Sequence, residues 1–106
     1  MKRWLLLALA VIAEVSGSLS MKLALDAPAL YLVTAAGYIV AFAALAATLR
    51  AGMALGAAYG IWGACGVALT ALLSWLLFKE PTRLVMSLGI VLIAGGVVLI
   101  NTGAPA

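Results

Sequence analysis

The stretch WLLLALAVIAEVSGSLSM, Trp4 to Met21, is apolar over the length of a bilayer crossing and carries one charge, Glu14, near its middle. An acidic side chain at the centre of a membrane helix is unfavourable by roughly 3 kcal/mol, so it normally faces a protein-lined or watery cavity and serves a purpose there. The first expectation for Glu14 is therefore a proton or cation site.

Working outward, three more apolar stretches follow, approximately Ala29 to Leu49, Met53 to Phe78 and Leu84 to Ile100. Each is near the roughly 20 residues that cross a hydrocarbon core as a helix. The 106 residues are 68% hydrophobic and the mean hydropathy is +1.31, far above the roughly half-apolar composition of soluble domains. The expected fold class is an all-α membrane protein, a four-transmembrane-helix bundle. Residues 1–106 are expected to form one integral membrane domain, a multi-pass protein of the inner (plasma) membrane.

Lys2 and Arg3 ahead of Leu5, Leu6 and Leu7 imitate a signal peptide, but Glu14 interrupts the apolar region and three further spans follow, so this helix is expected to stay. The single Cys65 excludes an intrachain disulfide, and its place between Gly63 and Gly66 points to small-residue packing. With no histidine and no ligand cluster, neither a metal nor a cofactor site is readable, and no enzyme chemistry is indicated. The net charge of +3 comes from basic residues at helix ends, where they meet lipid headgroups rather than nucleic acid.

The breaks between spans are short: Lys22 to Pro28, Arg50 to Gly52 and Lys79 to Arg83. Such connections leave only antiparallel neighbours in a bundle. Pro28 can begin the second helix, where its missing N–H is harmless, and the Pro81 break ends the third. Membrane orientation normally follows an excess of Lys and Arg on the cytoplasmic side. Here Lys2, Arg3 and Arg50 on one side balance Lys22, Lys79 and Arg83 on the other. Without a charge bias both insertions are open, and so is an antiparallel pair; the alternative is that unequal contributions still fix one topology.

Helical spacing places Leu7, Ala10, Glu14, Gly17, Ser18 and Met21 on one face of the first helix. Small residues around the carboxylate leave room for a ligand, and Ser18, one turn away, is a candidate hydrogen-bond partner for it. Either a proton or an organic cation neutralises such a site, and each displaces the other. The alternative is a packed interface in which Glu14 stays protonated as a local donor.

The third helix carries Tyr59, Trp62, Gly63, Gly66, Thr70 and Ser74 on one broad face. Aromatic rings suit a cationic ligand, each contributing about 0.5 to 2 kcal/mol, although helix packing or interfacial anchoring also employs Tyr and Trp. Gly52, Gly56 and Gly60, spaced by four, form a small-residue ridge for close helix approach. Gly63 and Gly66 allow a bend. On the last helix, Gly89, Leu92, Ile93, Gly96 and Ile100 form a stripe with no ionisable residue, which reads as an assembly surface.

Ala13-Glu14-Val15 with Gly17, Met21 and Lys22, the run Ala58-Tyr59-Gly60-Ile61-Trp62 with Gly66, and Gly89 to Asn101 closely resemble the small multidrug resistance transporters over nearly the full length. The resemblance implies an antiparallel dual-topology homodimer that exchanges protons for organic cations. It implies Glu14 of both subunits as the shared proton and substrate site, Tyr38, Tyr59 and Trp62 as pocket residues, and the Gly89 to Gly96 stripe as the dimerisation motif.

Within that family the guanidinium exporters typically carry a tryptophan shortly after the glutamate, where this chain has Ser16-Gly17-Ser18; small residues there favour a roomy pocket. Two departures from the familiar drug exporters are Ala43, where a bulky aromatic is often present, and Ala64, in place of a kink glycine. The expected function is proton-coupled export of lipophilic and quaternary ammonium cations. Export of guanidinium or polyamines, a paired heteromer with a sister chain, and a non-transporting scaffold subunit are the alternatives; an unpaired acid argues against the last.

Overall fold

The computed structural model describes residues 2–81 and 83–103. It contains α1 (Lys2–Ala24), a 3-10 turn (Pro28–Leu30), α2 (Tyr31–Arg50), α3 (Leu55–Phe78) and α4 (Leu84–Gly103). All four helices are long and apolar enough to cross a membrane. The all-α, four-span bundle expected from the sequence is thus present, and the chain is a multi-pass membrane protein.

Helix boundaries differ from the apolar segments for physical reasons. Helix α1 continues past both ends of Trp4 to Met21 because Lys2, Arg3 and Lys22 keep helical backbone while their long side chains reach for water. Pro28 opens a 3-10 turn that leads into α2 at Tyr31, so it starts the second span indirectly. Between α2 and α3, Gly52 takes φ +111°, a conformation that side chains other than glycine's disfavour, and α3 begins at Leu55 instead of Met53. Helix α3 ends at Phe78, with Lys79 left-handed at φ 55° and the Glu80 N–H donating to the Ser74 carbonyl at 3.5 Å, ahead of Pro81. Thr82, in the same break, lies outside the described residues.

Helix α1 is central. It packs along α2 and against α3, while among the described residues α4 touches only α3. The α1–α2 crossing is close because two glycines meet there: a Cβ at Gly37 would lie 3.0 Å from the Gly17 Cα and 3.0 Å from the Ala13 carbonyl oxygen. The buried core is built mostly of small and aliphatic residues, among them Leu7, Ala10, Val11, Ala41, Leu45, Ala58 and Ile61. No residue of α4 is fully buried, and Leu84, Val85, Leu92 and Leu99 project outward.

Helix α3 runs unbroken from Leu55 to Phe78 through Gly63 and Gly66. The glycine ridge engages another helix only at Gly60, where an added Cβ would meet Ile100 Cδ1 at 3.2 Å; Gly56 faces open space and Gly52 belongs to the turn. The first and third loops lie at one end of the bundle, where Lys22 Nζ donates to Glu80 Oε2 at 2.7 Å and sits 5.9 Å from the Phe78 ring centre.

Candidate functional site

Helices α1 and α3 run parallel, so one turn along either helix moves the same way through the bundle. That geometry sorts the candidate residues into layers around Glu14. The Glu14 carboxylate abuts Gly66 so closely that a Cβ there would fall on it. Glycine at this position therefore makes the seat of the acid. No basic side chain among the described residues pairs with Glu14; the ion pair present, Lys22 with Glu80, is at the bundle end.

Toward that end, one turn from Glu14 and from Gly66, lies a layer of hydroxyls. Ser18 Oγ and Tyr38 Oη share a hydrogen bond of 2.7 Å, so Ser18 bonds to α2 and not to Glu14 as its spacing on α1 had led us to expect. Thr70 stands opposite on α3, and its Oγ1 is buried without a hydrogen-bond partner among the described residues. Glu14, Ser18 and Tyr38 on one side, and Gly66, Val67, Thr70 and Ala71 on the other, line a groove of about 390 Å³ that is open on one side. Ligand pockets run from about 300 to 1,000 Å³, so the groove has room for a small organic ion.

Toward the other end lies an aromatic layer. Trp62 is 6% exposed, and its Nε1–H donates to the Ala10 carbonyl at 3.1 Å. Phe42 meets its ring edge-on at 5.1 Å and Tyr59 lies tilted at 5.5 Å. Tyr59 itself is 57% exposed on the outside of the chain.

The candidates named from the sequence therefore divide. Glu14, Ser18 and Tyr38 come together on the groove. Gly17 is a packing residue at the α1–α2 crossing, where a Cβ would approach the Thr34 carbonyl at 3.2 Å and the Tyr38 ring at 3.3 Å. Ala10 is fully buried and receives the Trp62 bond. Trp62 and Tyr59 form the neighbouring aromatic layer and are not among the groove's lining residues. In the α4 stripe, Leu92 is 74% exposed and Gly89, Ile93 and Gly96 are half-buried, whereas Ile100 packs on Gly60 of its own chain.

Sequence reasoning passed over Val67 and Ala71, and it placed Thr70 on the right face without joining it to Glu14. The available signal was spacing: 66, 67, 70 and 71 form one helical face beginning at the glycine that seats the acid. Phe42 was also missed. It adjoins Ala43, so α2 keeps an aromatic beside Trp62 next to the position where the expected bulky ring is absent.

Residues 2–93 match the family model described as Small Multidrug Resistance protein. The chain is 41% identical over 108 residues to the multidrug resistance protein EbrB of Bacillus licheniformis, covering 96% of this chain and 87% of that protein. It is 38% identical to EbrB of Bacillus atrophaeus, covering 100% and 92%. With the quaternary ammonium compound-resistance protein QacH of Staphylococcus saprophyticus it shares 35% identity, over 93% of this chain and 94% of the relative. Four bilayer-length helices, tiny loops and an unpaired acid on the first span accord with these matches, and the chain belongs to the small multidrug resistance family.

Proposed function

We propose that this protein is a proton-coupled antiporter that exports lipophilic and quaternary ammonium cations, with protons and substrate competing for Glu14. The observation that carries this reading is a half-buried carboxylate without a basic partner among the described residues, on an open groove walled mainly by apolar and hydroxyl-bearing side chains. Leaving a bare carboxylate in such a place is unfavourable, so a proton or a cation resides there, and the arrival of one releases the other. The names of the relatives, multidrug resistance and quaternary ammonium compound resistance, agree with this substrate class.

The active unit we propose is an antiparallel homodimer. The groove is open on one side, α4 presents an apolar outer face carrying Leu92 beside Gly89 and Gly96, and the basic residues are equal in number at the two ends. A second copy inserted the other way up supplies the opposite gate, and the α4 stripe is its docking surface. The two Glu14 carboxylates then serve one shared substrate.

The test is uptake into proteoliposomes containing only this protein, driven by a pH gradient, with quaternary ammonium, guanidinium and polyamine cations offered in parallel. Gradient-dependent uptake of the quaternary ammonium cation is expected. Transport of guanidinium alone moves the chain to the other exporter subtype. Absence of all uptake until a sister chain is added makes it one half of a heteromer.

A further inference from the structure

Threonine inside a helix ordinarily turns its hydroxyl back to a carbonyl of the preceding turn. Three threonines of this chain do so: Thr34 donates to Leu30 at 3.3 Å, Thr48 to Ala44 at 2.8 Å and Thr102 to Leu99 at 3.2 Å. Thr70 does not. Thr70 lines the Glu14 groove, and its Oγ1, turned into the protein, makes no hydrogen bond among the described residues.

A buried hydroxyl without a partner is unfavourable, and a native structure that keeps one usually has a use for it. The other two hydroxyls of this layer, Ser18 and Tyr38, share one hydrogen bond of 2.7 Å. Thr70 is therefore the groove hydroxyl with its full capacity uncommitted. It stands one helical turn from Gly66, against which the Glu14 carboxylate rests, and a change between its two helical rotamers turns the hydroxyl toward a cation that neutralises Glu14 in the groove.

We propose that Thr70 is a specificity-determining residue, accepting a hydrogen bond from the N–H of a substrate whose positive charge rests on Glu14. This inference deepens the proposed function and rests on it. A quaternary ammonium ion has no N–H and gains nothing from Thr70, whereas a protonated amine or an amidinium does. The substrate class singled out is thus the organic cation that carries both an apolar body and an N–H donor. Val67 and Ala71 beside Thr70 accept the apolar body.

The experiment compares two probes of nearly equal shape, N,N-dimethylbenzylammonium, which has one N–H, and benzyltrimethylammonium, which has none. Binding is measured by titration calorimetry on the full chain in lipid bicelles, at a pH where the amine stays protonated. Thr70→Val keeps the shape and removes the acceptor. It should weaken the N–H probe by about tenfold, the scale of a hydrogen bond to a charged donor, and leave the quaternary probe within about twofold. Thr70→Ser should restore the N–H probe, and the quaternary probe reports in every variant that the groove is intact. Equal loss on both probes, no loss on either, or failure of Ser to rescue overturns the role of Thr70. If the unmodified chain binds neither probe, the Glu14 reading itself has failed and this inference falls with it; if it binds both without discrimination by Thr70→Val, the Glu14 reading stands alone.

Discussion

At the residue scale, Glu14 and Gly66 act as a pair: one supplies the charge and the other the space in which it sits. Glu14→Gln keeps the shape of the side chain but neither exchanges a proton nor neutralises a cation. It should abolish gradient-driven uptake while the purified protein keeps its helical circular dichroism, and active export by this variant would remove Glu14 from the mechanism. Gly66→Ala places a methyl group on the carboxylate's seat, so the acid must shift. Overpacking of this kind costs about 1 to 3 kcal/mol, and substrate affinity measured by titration should fall by about tenfold or more. Glu14 was legible in the sequence because a lone acid in an apolar helix is conspicuous. Its seat was not, because glycines recur throughout α3 and only the packing of α1 against α3 shows which of them meets the acid.

At the element scale, the α1–α2 crossing brings backbone against backbone, and it depends on Gly17 and Gly37 facing each other. Gly37→Val should separate the helices and displace Tyr38, the partner of Ser18. The expected result is a loss of about 1 to 3 kcal/mol in stability, read as a lower unfolding temperature in detergent. The Lys22–Glu80 pair is a weaker feature: both side chains are close to half exposed, at 49% and 44%, so Glu80→Gln should change stability by about 1 kcal/mol or less. Spans and loops were readable from hydropathy and from Pro28, Gly52 and Pro81, because lipid requires helices to satisfy their own backbone. Which face of each helix meets which neighbour was less so. Ser18 and Gly17 are adjacent and both small, yet one lines the groove and the other is packed away, a difference set by the path of α2.

At the scale of the whole molecule, a single chain leaves α4 with an apolar outer face and the Glu14 groove open on one side, and the proposed antiparallel copy completes both. The balance of basic residues at the two ends makes orientation easy to tip. With Cys65 replaced by serine, single cysteines at Ala27 and Ala51, in loops at opposite ends, should each be labelled from both sides of the membrane; added lysines beside Arg50 should confine labelling to one side and abolish transport until an oppositely biased copy is supplied. One-sided labelling of the unmodified charge pattern would leave a parallel dimer or a heteromer. The central claim, that protons and substrate compete for Glu14, is tested most directly by the affinity of a quaternary ammonium cation as a function of pH. In the proposed dimer the two facing acids titrate as a coupled pair, so the profile yields values belonging to the pair. Affinity is predicted to rise with pH as the carboxylates lose their protons and then to level off, and to lose this dependence in Glu14→Gln; an affinity of the unmodified protein that stays flat from acidic to alkaline pH would contradict the account.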